Sequence, residues 1–116
     1  VKRLTADPRE FFSEYREGLR AIKEEAAPTI EGFNYFYGKV MSEGALSLKV
    51  KELIALAIGV AVHCENCIMI HTRGAKKSGA TREETLEAAS IGVMMGGGPA
   101  FTFLPLVQKT LDSLEK

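Results

Sequence analysis

The segment that most constrains this chain is Leu53–Val62, ten consecutive residues without a single charge, set between Glu52 and the sequence Cys64-Glu65-Asn66-Cys67. Ser47 is placed to cap a helix that opens just before it, with Lys49, Lys51 and Glu52 in its first turns. A helix apolar all round is expected to be buried all round. The remainder of the chain must then supply the helices that surround it.

The flanking residues read that way. Asp7, Pro8 and Glu10 stand as N-cap, first helical residue and capping-box acid, and Phe11, Tyr15, Leu19 and Ile22 follow at helical spacing, to about Ala26. Pro28 breaks this helix, and Phe33, Phe36, Tyr37 and Val40 form the face of a second, ended near Gly44. A fourth helix begins near His63 or Cys64 and stops at Ser78. There Gly79 suits a left-handed cap, and Arg73, Lys76 and Lys77 complement the helix C-terminus. Thr81 and Glu84 form a capping box for a fifth, which runs to about Met95. The run Gly96-Gly97-Gly98-Pro99 predicts a turn. Leu104, Val107, Leu111 and Leu114 then mark a last helix that starts near Pro105 or is kinked there. With no strand pattern and no repeat, the expectation is a single all-α domain over residues 1–116 with about six helices. Phe33, Tyr35, Phe36 and Tyr37 are assigned to the core, Met94 and Met95 to a packed helix end, and His63 to a loop or cap position.

Charge excludes some partners. Fifteen basic and fifteen acidic residues are scattered along the chain, so no footprint for nucleic acid or anionic lipid is present. The apolar run is far shorter than the roughly 20 residues that cross a bilayer, and the charged segment Val1–Glu10 has no signal-peptide core; a cytoplasmic location is expected. Both cysteines of the chain lie in one C-x-x-C, a pattern that in such a compartment is redox-active or metal-binding more often than structural.

On a helix, Cys64, Cys67 and His71 are spaced by three and four residues and share one face. A helix N-terminus favours thiolate over thiol, and His71, one turn beyond Cys67, is placed to accept the thiol proton. Glu52, ahead of the apolar run, reads on its own as a solvated first-turn residue; were it buried, a partner such as His71 would resolve the cost. The set then has the order nucleophile, base, orienter. Two other chemistries use the same residues: zinc ligation by Cys64, Cys67, His71 and Glu52, and acid–base lyase chemistry by His71 and Glu52. A phosphate-binding glycine loop is disfavoured, because no strand precedes the glycines.

Glu52, eleven residues, Cys64, two residues, Cys67, three residues, His71 resembles the signature of the alkylhydroperoxidase D branch of the carboxymuconolactone decarboxylase family. The resemblance covers nearly the whole chain and implies a helical fold in homo-oligomers, commonly trimers or hexamers, and a peroxide-reducing cycle through a C-x-x-C disulfide. It also implies Cys67 as the peroxide-attacking thiol, Cys64 as the resolving thiol, and Glu52 with His71 as a proton relay. One position departs from the pattern: Asn66 stands where peroxidase members have a histidine before the second cysteine. The expected partners are a peroxide and a dithiol donor of lipoyl or thioredoxin-like type. No cofactor is implied, and no residue is assigned to a resident metal.

Overall fold

A computed structural model describes residues 6–115. Val1–Thr5, part of the charged N-terminal segment, and Lys116 lie outside the described residues. Seven helical segments follow in order: α1 (Pro8–Glu25), α2 (Ala27–Val40), α3 (Leu48–Ala61), α4 (Glu65–Lys77), α5 (Arg82–Gly96), α6 (Gly98–Phe101) and α7 (Leu104–Leu114). Among the described residues there is no strand, and no helix is long and apolar enough to cross a membrane.

Most boundaries fall where the side chains dictate. Asp7 caps α1 by accepting from the Arg9 amide, and Ser47 caps α3 by accepting from the Val50 amide at 3.2 Å. Thr81 and Glu84 close a reciprocal capping box on α5, at 3.0 and 2.8 Å. Gly79 takes φ +93°, the left-handed cap expected after α4. The glycine run is shorter as a turn than the sequence suggests. Helix α5 continues through Gly96, the chain reverses at Gly97 with φ +75°, and Pro99 opens the one-turn α6. Pro105 sits in the first turn of α7, where its missing N–H has no helical acceptor to lose.

Helix α3 is the centre, packed most extensively on α5 and α4, with α7 closing over α4 and α5. Leu56 and Val60 meet Ile68 and Met69 of α4, Ala89 of α5, Ala100 of α6, and Leu106, Val107 and Leu111 of α7 in one core. The α3–α5 crossing is close because it uses glycines. A Cβ at Gly92 would overlap the Ala57 carbonyl oxygen, and one at Gly96 would press on Ala61 backbone. Ion pairs from Lys49 to Glu84 and from Arg82 to Asp112 and Glu115 tie the helix ends together at the surface.

Three burial expectations are corrected. Helix α3 is not covered all round: along one stripe Ile54 and Ile58 are exposed, and they line an apolar groove of about 630 Å³ between α3 and α5 together with Ile91 and Met95. Met94 and Met95 are 71% and 74% exposed, not a packed helix end. The aromatic residues of α2 are not core either. No residue of α2 is buried, and Phe33, Tyr35 and Phe36 are more than half exposed. In each case the apolar residues outnumber the positions that the chain's other helices can cover, so periodicity identified an apolar face without identifying what meets it.

Candidate active site

The site is assembled at the junction of α3 and α4. Helix α3 ends in a Schellman turn: the His63 amide donates to the Val60 carbonyl and the Cys64 amide to the Gly59 carbonyl, at 3.2 and 2.9 Å. The residue at the left-handed position of such a turn is usually glycine, but here it is His63, with φ +62°. Its imidazole is exposed and lies parallel to the Phe103 ring, 5.6 Å between centroids. The turn places Cys64 as the N-cap of α4 rather than in its first turn, and Cys67 at the third helical position.

Cys64 and Cys67 are joined as a disulfide, with Cα atoms 5.2 Å apart, and both are half-buried. The Cys67 amide donates to Cys64 Sγ at 3.2 Å. Cys64 therefore holds the direct contact with the helix N-terminus, an arrangement that stabilises negative charge on its sulfur once the disulfide opens. Cys67 has a different neighbour. It packs against α3 at Gly59, where a Cβ would come within 3.2 Å of the Cys67 Cβ, and it stands one turn ahead of His71.

Glu52 and His71 meet. His71 Nδ1 lies 2.7 Å from Glu52 Oε1, and the side chains are only 14% and 12% exposed. With a carboxylate on Nδ1, the neutral ring keeps its proton there and donates it to Glu52, leaving Nε2 as the free, basic nitrogen. The carboxylate reaches this position because α4 carries a glycine beside it: any Cβ at Gly74 would overlap all three carboxyl atoms of Glu52. Sequence reasoning passed over Gly74. Its signal was a glycine one turn beyond His71 inside a helix, a choice that costs about 1 kcal/mol of helix propensity relative to alanine.

Tyr37 was also missed, having been assigned to the core. Its ring is half-buried and lies nearly parallel to His71, 6.4 Å between centroids and 17° between planes. Burial first, then Glu52 and then Tyr15, push the Tyr37 hydroxyl above the ordinary tyrosine range, so it stays neutral beside the carboxylate. All four residues singled out in the sequence thus occur in one region, as a sulfur pair and a carboxylate–imidazole pair. Among the described residues no three His, Cys, Asp or Glu side chains converge on a point where a metal ion could sit.

A dithiol at a helix start, with an acid–base pair one turn along in an all-helical domain, defines a small helical thiol protein. The model of the carboxymuconolactone decarboxylase family matches residues 27–108, and the chain belongs to that family. An uncharacterised protein of Cupriavidus necator is 30% identical over 111 residues, 96% of this chain and 98% of that one. A solved family protein from Legionella pneumophila superposes with a TM-score of 0.89 at 32% identity, covering 96% of this chain and all of its own. Another, from Thermotoga maritima, is described with a suggested part in an antioxidative response. It gives a TM-score of 0.70 at 29% identity over 75% of this chain and 90% of its own.

Proposed function

We propose that the chain is a thiol-dependent peroxidase that reduces organic or hydrogen peroxide through Cys67 and Cys64. The observation that carries this reading is the disulfide between the two cysteines at the N-terminus of α4, one turn from a formed Glu52–His71 pair. His71 Nε2 takes the proton of the Cys67 thiol. The thiolate attacks the terminal peroxide oxygen, the O–O bond breaks, and the leaving alkoxide is protonated to an alcohol while Cys67 becomes a sulfenic acid. Cys64, its sulfur favoured as thiolate by the Cys67 amide, attacks that sulfur and water leaves, giving the disulfide. An external dithiol, lipoyl or thioredoxin-like, supplies the two electrons that restore both thiols. The antioxidative role suggested for the Thermotoga relative agrees with this chemistry. Asn66, in place of a histidine before Cys67, leaves His71 as the base of the relay.

The test is steady-state consumption of an organic hydroperoxide by the reduced protein with excess dihydrolipoamide. Turnover by the wild type, lost in both Cys64→Ser and Cys67→Ser, is the expected result. Absence of turnover, or turnover that survives replacement of both cysteines, removes the peroxidase reading, and survival moves the chemistry to Glu52 and His71 acting as acid and base.

A further inference from the structure

Imidazole rotation about its terminal torsion is broad, so a single hydrogen bond to one edge does not fix the plane of the ring. Glu52 holds the Nδ1 edge of His71, while the Tyr37 ring stacks near-parallel to the imidazole, 6.4 Å between centroids. Tyr37 comes from α2, a helix that contributes no buried residue to the fold. Its half-buried residues are only Ala27, Ile30 and Tyr37.

The chain nevertheless fixes where α2 ends. Lys51 donates from Nζ to the Val40 and Ser42 carbonyls, at 2.8 and 2.6 Å, binding the end of α2 to the first turn of α3. Lys51 is the neighbour of Glu52, so consecutive residues of α3 anchor the helix that brings Tyr37 and the carboxylate that holds His71. Phe33, one turn earlier, packs tilted beside the Tyr37 ring, 5.8 Å between centroids. A helix that adds nothing to the core but is pinned beside the acid–base pair has its rationale at the site.

We propose that Tyr37 is a positioning residue of the Glu52–His71 pair, its ring near-parallel to the imidazole and holding the plane of that ring one turn from Cys67. The proposal deepens the peroxidase reading and rests on it for the role of Nε2. The ring carries the effect. The hydroxyl, neutral beside Glu52, is not required.

The test uses reduced protein labelled with ¹⁵N-histidine. The chain has two histidines, and a His63→Asn variant tells their signals apart. In the wild type and in Tyr37→Phe, His71 should show one dominant neutral tautomer with the proton on Nδ1, and Cys67 should be alkylated at similar rates. In Tyr37→Ala and Tyr37→Leu the tautomers should mix and alkylation at neutral pH should slow about tenfold, with helix content retained. Wild-type tautomer signals and rates in both Tyr37→Ala and Tyr37→Leu overturn the proposal, as does a Tyr37→Phe protein as impaired as Tyr37→Ala. Failure of the peroxidase reading looks different: His71 responds to Tyr37, yet the wild type consumes no hydroperoxide.

Discussion

Glu52 Oε1 and His71 Nδ1 are 2.7 Å apart in a setting where both side chains are close to nine-tenths buried. The pair joins α3 to α4 beside the disulfide and commits the imidazole to one tautomer. Replacing Glu52 by Gln keeps the shape and an acceptor oxygen but removes the charge that meets the Nδ1 edge of the ring. Alkylation of Cys67 near neutral pH should fall about tenfold or more while the circular dichroism stays helical. Equal alkylation rates for the two proteins across a pH series would show that the carboxylate does not act on the thiol.

Gly74 gives room to the Glu52–His71 contact at the expense of helix propensity. In Gly74→Ala the new methyl group occupies the space of the Glu52 carboxylate, which is the end of a flexible side chain and can swing away. Helix propensity gains about 1 kcal/mol and the charged hydrogen bond to His71, worth about 1.5 to 3 kcal/mol, is lost, so net stability should fall by about 0.5 to 2 kcal/mol. Thiol reactivity should nevertheless drop as it does in Glu52→Gln. A Gly74→Ala protein with wild-type reactivity would mean that Glu52 need not sit where it does.

His63 stores strain beside the first cysteine. Both His63→Gly and His63→Ala lose the ring on Phe103, but only glycine relaxes φ +62°. His63→Gly should therefore be about 1 kcal/mol more stable than His63→Ala in urea unfolding of the reduced proteins. An alanine variant as stable as the glycine variant would show that the left-handed turn is not a source of strain.

The uncovered apolar faces bear on the expectation that the chain forms homo-oligomers. Ile58, Met95 and their neighbours on the α3–α5 groove are exposed in a molecule of 12.7 kDa. Light scattering at micromolar concentration should give a multiple of that mass, and Ile58→Asp should lower it. A closed ring, such as the trimers or hexamers that the resemblance implies, would cover this surface by point symmetry. A monomer for the wild type would contradict this account of the groove.

Much of the architecture was legible because caps and breakers act locally. Asp7, Ser47, Thr81 and Gly79 each satisfy their own helix end, so their roles follow from a few neighbouring residues. The grouping of Cys64, Cys67 and His71 was legible for the same reason, being fixed by spacing within one helix. What the sequence left open depends on contacts between helices. The partial exposure of α3, the aromatic face of α2 turned outward, Tyr37 on His71 and the space at Gly74 are set by tertiary packing, which no periodicity encodes. Glu52 lay between these cases. The resemblance paired it with His71, nineteen residues away, but the contact itself is made by the packing of α3 on α4.

Intact-mass analysis of reduced protein after one equivalent of organic hydroperoxide tests the central claim most directly. The wild type should lose two hydrogens and gain no oxygen, as the Cys64–Cys67 disulfide forms. Cys64→Ser should gain one oxygen, as a sulfenic acid that traps at Cys67, and Cys67→Ser should react far more slowly. An unchanged wild-type mass would contradict the dithiol cycle. Faster sulfenic acid formation at Cys64 in the Cys67→Ser protein would reverse the two sulfurs, and the amide on Cys64 would then outweigh the base that serves Cys67.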